Sequence, residues 1–191
     1  KTKVGGHQIV YFDNAATTQR PLPVVNALLD YTTHENGNPH RGAHIFAISA
    51  SEAYDTSKEV VRDFIHARSE KEIIYTRNTS ESLNLVARSY GETHLKAGDH
   101  ILITIAEHHS NLVTWQRVAQ KTGATLDYIY VDKKTGHFPE EELKKIDDPR
   151  VKLFAFAEVS NVLGIDFDPK PLIQRAHAHG AIVVLDGAQS T

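Results

Sequence analysis

Short apolar runs alternate with longer amphipathic segments along most of the chain. The runs are rich in β-branched and aromatic residues, which favour strands. They lie at 9–12, 72–76, 100–105, 126–131, 152–157 and 181–186. Several are apolar on both faces, as is typical of buried parallel strands. The alternation therefore predicts an α/β fold with a mostly parallel sheet and helices on both of its faces.

The amphipathic segments between these runs predict the helices. They lie at 22–33, 49–67, 80–90, 110–122, 139–146 and 169–179. Gly123 and Gly180 stand where helix C-terminal caps are expected, and the segment 132–136 is typical of a polar turn. No repeat, low-complexity tract or linker divides the chain, so residues 21–191 are expected to form one α/β unit. Residues 1–20 are expected to form an N-terminal arm.

The composition argues against several classes of partner and site but does not indicate a particular function. The formal net charge of -3 favours neither nucleic acid nor an anionic membrane surface as a partner. The absence of cysteine excludes disulfides and thiolate metal sites within these residues. No apolar run approaches the roughly 18 residues of a membrane span, and the first residues do not resemble a signal peptide. A soluble, cytoplasmic protein is the expectation.

Polar clusters follow three of the predicted strands, at the edge where parallel sheets bind ligands. The first cluster is Arg77–Glu81, after the run 72–76. Thr79 or Ser80 is expected to be the N-cap of the next helix, and such a helix start binds phosphate readily. Plain helix capping, without a ligand, is the alternative.

The second cluster, Glu107–Asn111, follows the run 100–105 and contains the pair His108 and His109. Neighbouring side chains diverge, and no third ligand stands at a usual metal spacing, so a metal site is not predicted. The imidazole of His108 could instead stack on a flat ligand. An exposed polar loop is the alternative.

The third cluster begins at Asp186, which ends the apolar run 181–185. A carboxylate at the end of a buried strand is costly unless it meets a cation or several hydrogen bonds. It could hold the protonated ring nitrogen of pyridoxal 5'-phosphate (PLP), or it could cap the following loop. The chain has neither the glycine-rich dinucleotide motif nor the P-loop motif.

Six motifs in this order and spacing resemble the class V aminotransferase family of PLP enzymes, and within it the group II (SUF-type) cysteine desulfurases. They are YFDNAATTQRP at 11–21, NPHRGAH at 38–44, TRNTSESLNLVA at 76–87, EHHSNLVTWQ at 107–116, VSNVLG at 159–164 and DGAQS at 186–190. The resemblance extends over essentially all 191 residues. It implies the large domain of the fold-type I PLP-dependent transferases, in incomplete form, and a homodimer that converts L-cysteine to alanine and passes the sulfur to an acceptor protein of iron–sulfur cluster assembly.

The resemblance also implies a role for individual residues. Asp186 would pair with the pyridinium nitrogen, Gln189 would bind the ring hydroxyl oxygen, and His108 would stack on the ring. Thr79 and Ser80 would hold the phosphate. Asn161 would lie beside the ring hydroxyl and the substrate carboxylate. Four further residues would line the entrance of the active site near the dimer interface: Ala15, Ala16, His40 and Arg41.

The chain departs from the family pattern in two motifs and at its end. Asn78 replaces a glycine of the phosphate motif, and Thr114 stands where proline is common. In the family, a S-G-H-K motif with the Schiff-base lysine follows the DGAQS motif, and a loop with a catalytic cysteine comes later. Neither is found here, so the chain is expected to be an N-terminal portion that is inactive alone. Selenocysteine lyase or another class V activity is one alternative, and a non-catalytic α/β binding module is the other.

Overall fold

The structure, a computed structural model, describes residues 2–191 and divides into two compact units. The first unit extends to Tyr75, and the second runs from Thr76 to Thr191. The arm expected at residues 1–20 lies within the first unit, and its separateness stays a prediction.

The first unit contains a hairpin and two helices. Strands β1 (Lys3–Val4) and β2 (His7–Gln8) pair antiparallel across Gly5 and Gly6, both at positive φ as the tight turn requires. Helix α1 (Leu22–Asp30) starts after Pro21 and continues into a π-helical turn, Tyr31–Glu35. Helix α2 (Ile45–Phe64) begins four residues before the predicted segment.

Two predicted strands are wrong. Residues 9–12 form no strand, and the Phe12 side chain is 91% exposed. The segment 72–76 begins at the end of a 3₁₀ turn (Glu70–Glu72) and continues as extended chain without a partner. An apolar alternation indicates extended backbone, but a strand also needs a neighbour to accept its hydrogen bonds. Within residues 2–191 neither segment belongs to a strand ladder, and Ile9 makes a single bond of this kind, from its N–H to the Thr2 carbonyl at 3.2 Å.

The second unit contains a βα succession that confirms the other four strands. In chain order its elements are α3 (Thr79–Val86), α4 (Glu92–His94), β3 (His100–Thr104), α5 (His109–Thr122), β4 (Thr125–Ile129), α6 (Glu140–Leu143), β5 (Val151–Ala157), α7 (Pro169–Ala178) and β6 (Ile182–Asp186). A π-helical turn (Ala87–Gly91) joins α3 to α4, and a 3₁₀ turn (Lys144–Asp147) prolongs α6. The predicted helical segments of this unit are confirmed.

The four strands form one parallel sheet in the order β4-β3-β5-β6. On one face, Ile101 and Ile103 of β3 pack with Trp115 of α5. On the other face, Phe154 and Phe156 of β5 pack with Leu172 of α7. Helices thus cover both faces, which confirms the predicted α/β architecture.

Glycines end two of these helices as the sequence predicts. Gly123 has a φ of 77°, and its N–H donates to the Ala119 carbonyl at 2.9 Å. Gly180 has a φ of 78° just after α7. Within residues 2–191 no helix is both long and apolar enough to cross a bilayer.

Candidate functional site

Three adjacent strands end at the same edge of the sheet. Strand β3 ends at Thr104, β5 at Ala157 and β6 at Asp186, and Ala157 and Asp186 are partners in the ladder. Glu107–Asn111 follows β3 and Asp186 ends β6, so two of the three polar clusters lie here, whereas the cluster Arg77–Glu81 follows the unpaired segment 72–76 and leads into α3. This edge of the second unit is therefore the candidate site.

Helix α3 begins with Asn78 as its N-cap, not with Thr79 or Ser80 as predicted. The Asn78 Oδ1 accepts the N–H of Glu81 at 3.0 Å, and the Glu81 carboxylate accepts the N–H of Arg77 at 2.7 Å. A side-chain hydrogen bond from Arg77 lowers the pKa of Glu81. An amide oxygen caps a helix better than a hydroxyl that is one residue further along, because only the capping position has the extended backbone that the bond requires. Thr79 and Ser80 thus occupy the first two helical positions, whose N–H groups have no acceptor inside the helix.

His108 is the N-cap of helix α5 and is connected to the start of α3. Its Nδ1 accepts the N–H of Ser110 at 3.1 Å and lies 3.0 Å from the Ser110 hydroxyl. That hydroxyl also forms a hydrogen bond with the hydroxyl of Ser80. Because Nδ1 accepts a hydrogen bond, the proton of the neutral ring is on Nε2. The chain Ser80–Ser110–His108 brings two of the predicted site segments together.

The ring of His108 remains exposed beside His109. The two rings meet edge to face, with their centroids 6.0 Å apart. Among residues 2–191 no three metal-ligating side chains come together.

Asp186 is buried, with only 6% of its surface exposed. Its Oδ1 accepts the N–H of Ala188 at 3.0 Å, so the carboxylate caps the following turn, as one of the two sequence interpretations proposed. None of the ion pairs within residues 2–191 includes it. A buried carboxylate without a cation is a favourable place for a positively charged ligand group.

Asp186 and Thr79 line the same cleft, whose volume is about 300 Å³. The other lining residues come from α3, from the end of β6 and from the turn that follows it: Ser82, Leu83, Val86, Val184, Leu185, Gly187, Ala188 and Thr191. The cleft therefore has a helix N-terminus on one side and a carboxylate on the other. It suits a ligand with an anionic group and a cationic group.

Asn161 and Gln189 lie on the two loops after β5 and β6, but neither lines this cleft. Ser160, which is buried, shapes the first loop: its hydroxyl donates to the Ala106 carbonyl at 2.9 Å and accepts two amides of the turn. Between the loops, the Ser190 hydroxyl donates to the Glu158 carboxylate at 2.6 Å. The structure thus joins the two loops without bringing Asn161 or Gln189 to the cleft wall.

Glu107 is partly buried beneath this edge, whereas the neighbouring His108 is exposed. Its carboxyl accepts hydrogen bonds from the Thr104 hydroxyl, from the Asn111 amide at 2.6 Å and from the Ala157 N–H at 3.1 Å. Burial, with a smaller contribution from the charge of Asp186, raises the pKa of Glu107 to about 7 against the opposing effect of these hydrogen bonds.

The four residues predicted at the active-site entrance all lie in the first unit. Ala15 and Ala16 belong to an exposed turn in which the Ala16 N–H donates to the Asp13 carbonyl at 3.3 Å. His40, at a φ of 56°, lies 3.3 Å from the Asp55 carboxylate, and Arg41 is exposed. Their role at an entrance stays a prediction.

Comparison with known proteins supports the motifs. The model of the family "Aminotransferase class-V" matches residues 10–191. The chain belongs to this family.

Relatives within the class V aminotransferase family carry a more specific name. The chain is 47% identical over 188 residues to a probable cysteine desulfurase of Halalkalibacterium halodurans, covering 98% of this chain and 46% of that protein. It is 46% identical to a cysteine desulfurase of Synechococcus elongatus, covering 98% and 30%. The apo structure of a cysteine desulfurase from Thermococcus onnurineus superposes with a TM-score of 0.89 at 43% identity, covering 95% and 44%. The chain thus spans less than half the length of these relatives.

For this class V aminotransferase chain, sequence analysis missed the roles of three side chains at the site. Asn78 was noticed only as a departure, yet it is the helix cap. Ser110 connects two helix starts, and Glu107 bonds to two strands and a helix. The spacing of Glu107 from Thr104 and Asn111, three and four residues, was the available signal, because side chains at those separations meet in helices and tight turns.

Proposed function

We propose that this chain forms the part of a PLP-dependent cysteine desulfurase that binds the phosphate and the ring nitrogen of the cofactor. The observation that carries the proposal is the cleft shared by Thr79 and Asp186. PLP is both an anion and, when its ring nitrogen is protonated, a cation, so its two ends match the two sides of the cleft. The names of the relatives support L-cysteine as the substrate.

The phosphate would bind at the start of helix α3. The amide groups of Thr79 and Ser80, together with their hydroxyls, supply donors there, and the helix dipole favours an anion. Glu81 is the one acidic side chain of this turn. Arg77 donates a hydrogen bond to it, and this positive charge limits the repulsion between Glu81 and a phosphate.

The ring would lie between Asp186 and His108. Asp186 would hold the protonated nitrogen, and the exposed imidazole of His108 would stack on the ring face. When bound, PLP supplies an electron sink, which works only if the ring charge is held by an acid. Gln189 and Asn161 would reach the ring hydroxyl from the neighbouring loops, and this assignment rests on motif position alone.

The proposal extends to the intact protein. We propose a homodimer of the SUF type, which takes L-cysteine and passes sulfur to an acceptor protein of iron–sulfur cluster assembly. Its Schiff-base lysine and sulfur-accepting cysteine would lie outside these 191 residues, which contain no cysteine. A cytoplasmic location remains the expectation.

The decisive experiment incubates the intact protein with PLP, L-cysteine and dithiothreitol, and measures alanine by mass spectrometry and sulfide by a colorimetric assay. The conversion of cysteine to alanine leaves the sulfur as a persulfide, which the dithiothreitol reduces to sulfide. We therefore expect alanine and sulfide in equal amounts, and neither when L-serine replaces L-cysteine. Release of alanine from L-selenocysteine alone would favour a selenocysteine lyase. A protein that neither binds PLP nor forms alanine would instead support a non-catalytic α/β module and overturn the proposal.

A further inference from the structure

Glu107 faces only hydrogen-bond donors among the described residues. Its Oε1 accepts from Thr104 and from the Ala157 N–H, and its Oε2 accepts from Asn111. The Thr104 hydroxyl donates to Glu107, and its oxygen also accepts the Ala106 N–H at 3.2 Å.

The orientation of the Asn111 amide is fixed as well. The indole N–H of Trp115 is a donor only, and it donates to the Asn111 Oδ1 at 2.8 Å. The Asn111 NH₂ group must therefore face Glu107. Three donors and no acceptor surround the carboxyl, which is an environment built for a negative charge.

Asp186 is the ionisable side chain whose negative charge repels that of Glu107 at this edge of the sheet. Ala157, which donates to Glu107, is the ladder partner of Asp186. The elements β3, α5 and β5 contribute only uncharged groups to the carboxyl, namely Thr104, Asn111 and the Ala157 amide. His108 follows Glu107 in sequence and Glu158 follows Ala157, and the side chains of both are hydrogen-bonded to serine hydroxyls. Two carboxylates thus lie close together, and none of the ion pairs within residues 2–191 contains either of them.

We infer that Glu107 is a positioning residue of the cofactor site, whose buried negative charge adds to that of Asp186 in retaining a protonated ring nitrogen. This inference rests on the proposed function, because it takes the cation at Asp186 to be the pyridinium of PLP. A cation there relieves the repulsion between the two carboxylates, so the ionised state of Glu107 and the bound cation stabilise each other. Glu107 touches no part of the ring in this scheme and acts through Asp186.

The test compares the binding of PLP with that of its 1-deaza analogue, in which C–H replaces the ring nitrogen. The intact protein is expected to prefer PLP, and Glu107→Gln is expected to reduce that preference about tenfold, the order of one charge at a partly buried site. Asp148→Asn is the control, because Asp148 pairs with Arg150 before the start of β5, at the opposite edge of the sheet. It should leave the preference unchanged.

In the single variant Glu107→Gln, the introduced amide can direct its own NH₂ group against the NH₂ group of Asn111. The double variant Glu107→Gln with Asn111→Asp restores every donor–acceptor pair and moves the charge away from Ala157, towards Trp115. It keeps the test usable if the single variant does not fold, as judged by circular dichroism, and it too is expected to lower the preference. An unchanged preference in a folded variant overturns the inference. If the unmodified protein itself shows no preference for PLP, the proposed function fails instead.

Discussion

At the scale of single residues, one amide oxygen decides how much of the start of helix α3 is available to an anion. The Oδ1 of Asn78 accepts the Glu81 N–H. The backbone N–H groups of Thr79 and Ser80, which lie between these two residues, have no acceptor inside the helix and can donate to an anion. The Asn78 side chain, which stands where the family motif has glycine, therefore accepts the hydrogen bond of the Glu81 N–H and leaves the N–H groups of Thr79 and Ser80 for a phosphate.

We expect substitutions at Asn78 to separate helix stability from phosphate binding. Asn78→Ala should lower the free energy of unfolding by about 1 kcal/mol, and Asn78→Gly by only a few tenths. Asn78→Asp should keep the cap but weaken binding of PLP and of inorganic phosphate, because it adds a negative charge beside them. Urea unfolding and equilibrium dialysis measure the two effects. Equal phosphate affinity in the Asp variant would place the anion elsewhere.

A second expectation concerns Asp186. Asp186→Asn removes the buried charge but keeps the volume and one acceptor for the Ala188 N–H. We expect alanine formation from L-cysteine by the intact protein to fall about a hundredfold or more, since an amide cannot hold the ring charge. Asp166→Asn, at an exposed carboxylate of the same unit, is the control and should leave alanine formation unchanged. Full turnover in the Asp186 variant would show that another acid holds the ring.

At the scale of elements, the site depends on how two helix starts are joined. The Ser110 hydroxyl bonds to Ser80 of α3 and lies next to His108 at the start of α5. Helices satisfy their backbone groups internally and form no ladder with each other, so side-chain hydroxyls fix the spacing of these two starts.

We expect Ser110→Ala to lower the affinity for PLP several-fold by loosening this connection, with little loss of stability at a partly exposed position. The control is Ser89→Ala, which removes a hydroxyl that bonds to the Leu85 carbonyl within its own helical turn. Isothermal titration calorimetry measures both variants. Identical affinities for both variants would argue that the phosphate does not depend on the Ser80 side of the cleft.

The elements themselves were predictable to different degrees. Strands β3 and β5 follow from apolar runs that are buried on both faces, because such runs have few other stable arrangements. Strands β4 and β6, at the two sides of the sheet, are partly exposed but have the same run of β-forming residues. The runs at 9–12 and 72–76 have the same local pattern but no adjacent strand within residues 2–191. Strand pairing is decided by distant parts of a chain, and periodicity does not encode it.

The site residues that belong to a sequence motif could be predicted. The roles of residues that depend on contacts with distant parts of the chain could not. The sequence placed Asp186 at a strand end and Thr79 at a helix start, and the structure brings them to one cleft, although the strand predicted before Thr79 does not form. It did not indicate that Asn78 would be the cap, because asparagine, serine and threonine are all good N-caps. Nor did it indicate that Glu107 would turn inwards while His108 turns outwards, since this depends on the donors that β5 and α5 offer.

At the scale of the whole molecule, the buried carboxyl of Glu107 couples stability to pH. Its pKa is raised to about 7 in the folded state, from 4.5 as the ordinary value. The folded state therefore binds the proton more tightly than the unfolded state does. The stability from this group is fully present below pH 4.5 and is lost as the pH rises through 7.

We expect the free energy of unfolding to contain a Glu107 contribution that falls by about 3 kcal/mol between pH 4.5 and neutrality. Subtracting the profile of Glu107→Gln isolates it from the titration of the histidines. Trp115 is the one tryptophan of the chain and is fully buried beside Asn111, so its fluorescence in urea reports this unit. Asp148→Asn should run parallel to the unmodified protein in this range, because the pKa of Asp148 is lowered by Arg150. A Glu107→Gln profile that is also parallel would contradict the assignment.

The strand order β4-β3-β5-β6 has a consequence for where a ligand fits. The winding of the sheet reverses between β3 and β5, since helix α5 leaves β3 on one face and α7 leaves β5 on the other. Doubly wound sheets usually leave a crevice for a ligand at such a topological switch point. Here the carboxyl of Glu107 bonds to Ala157 across that point, and the open cleft lies instead beside β6 and α3. Shortening Glu107 to alanine would leave the Thr104, Asn111 and Ala157 donors without their acceptor, so that a small carboxylate such as formate or acetate could take its place.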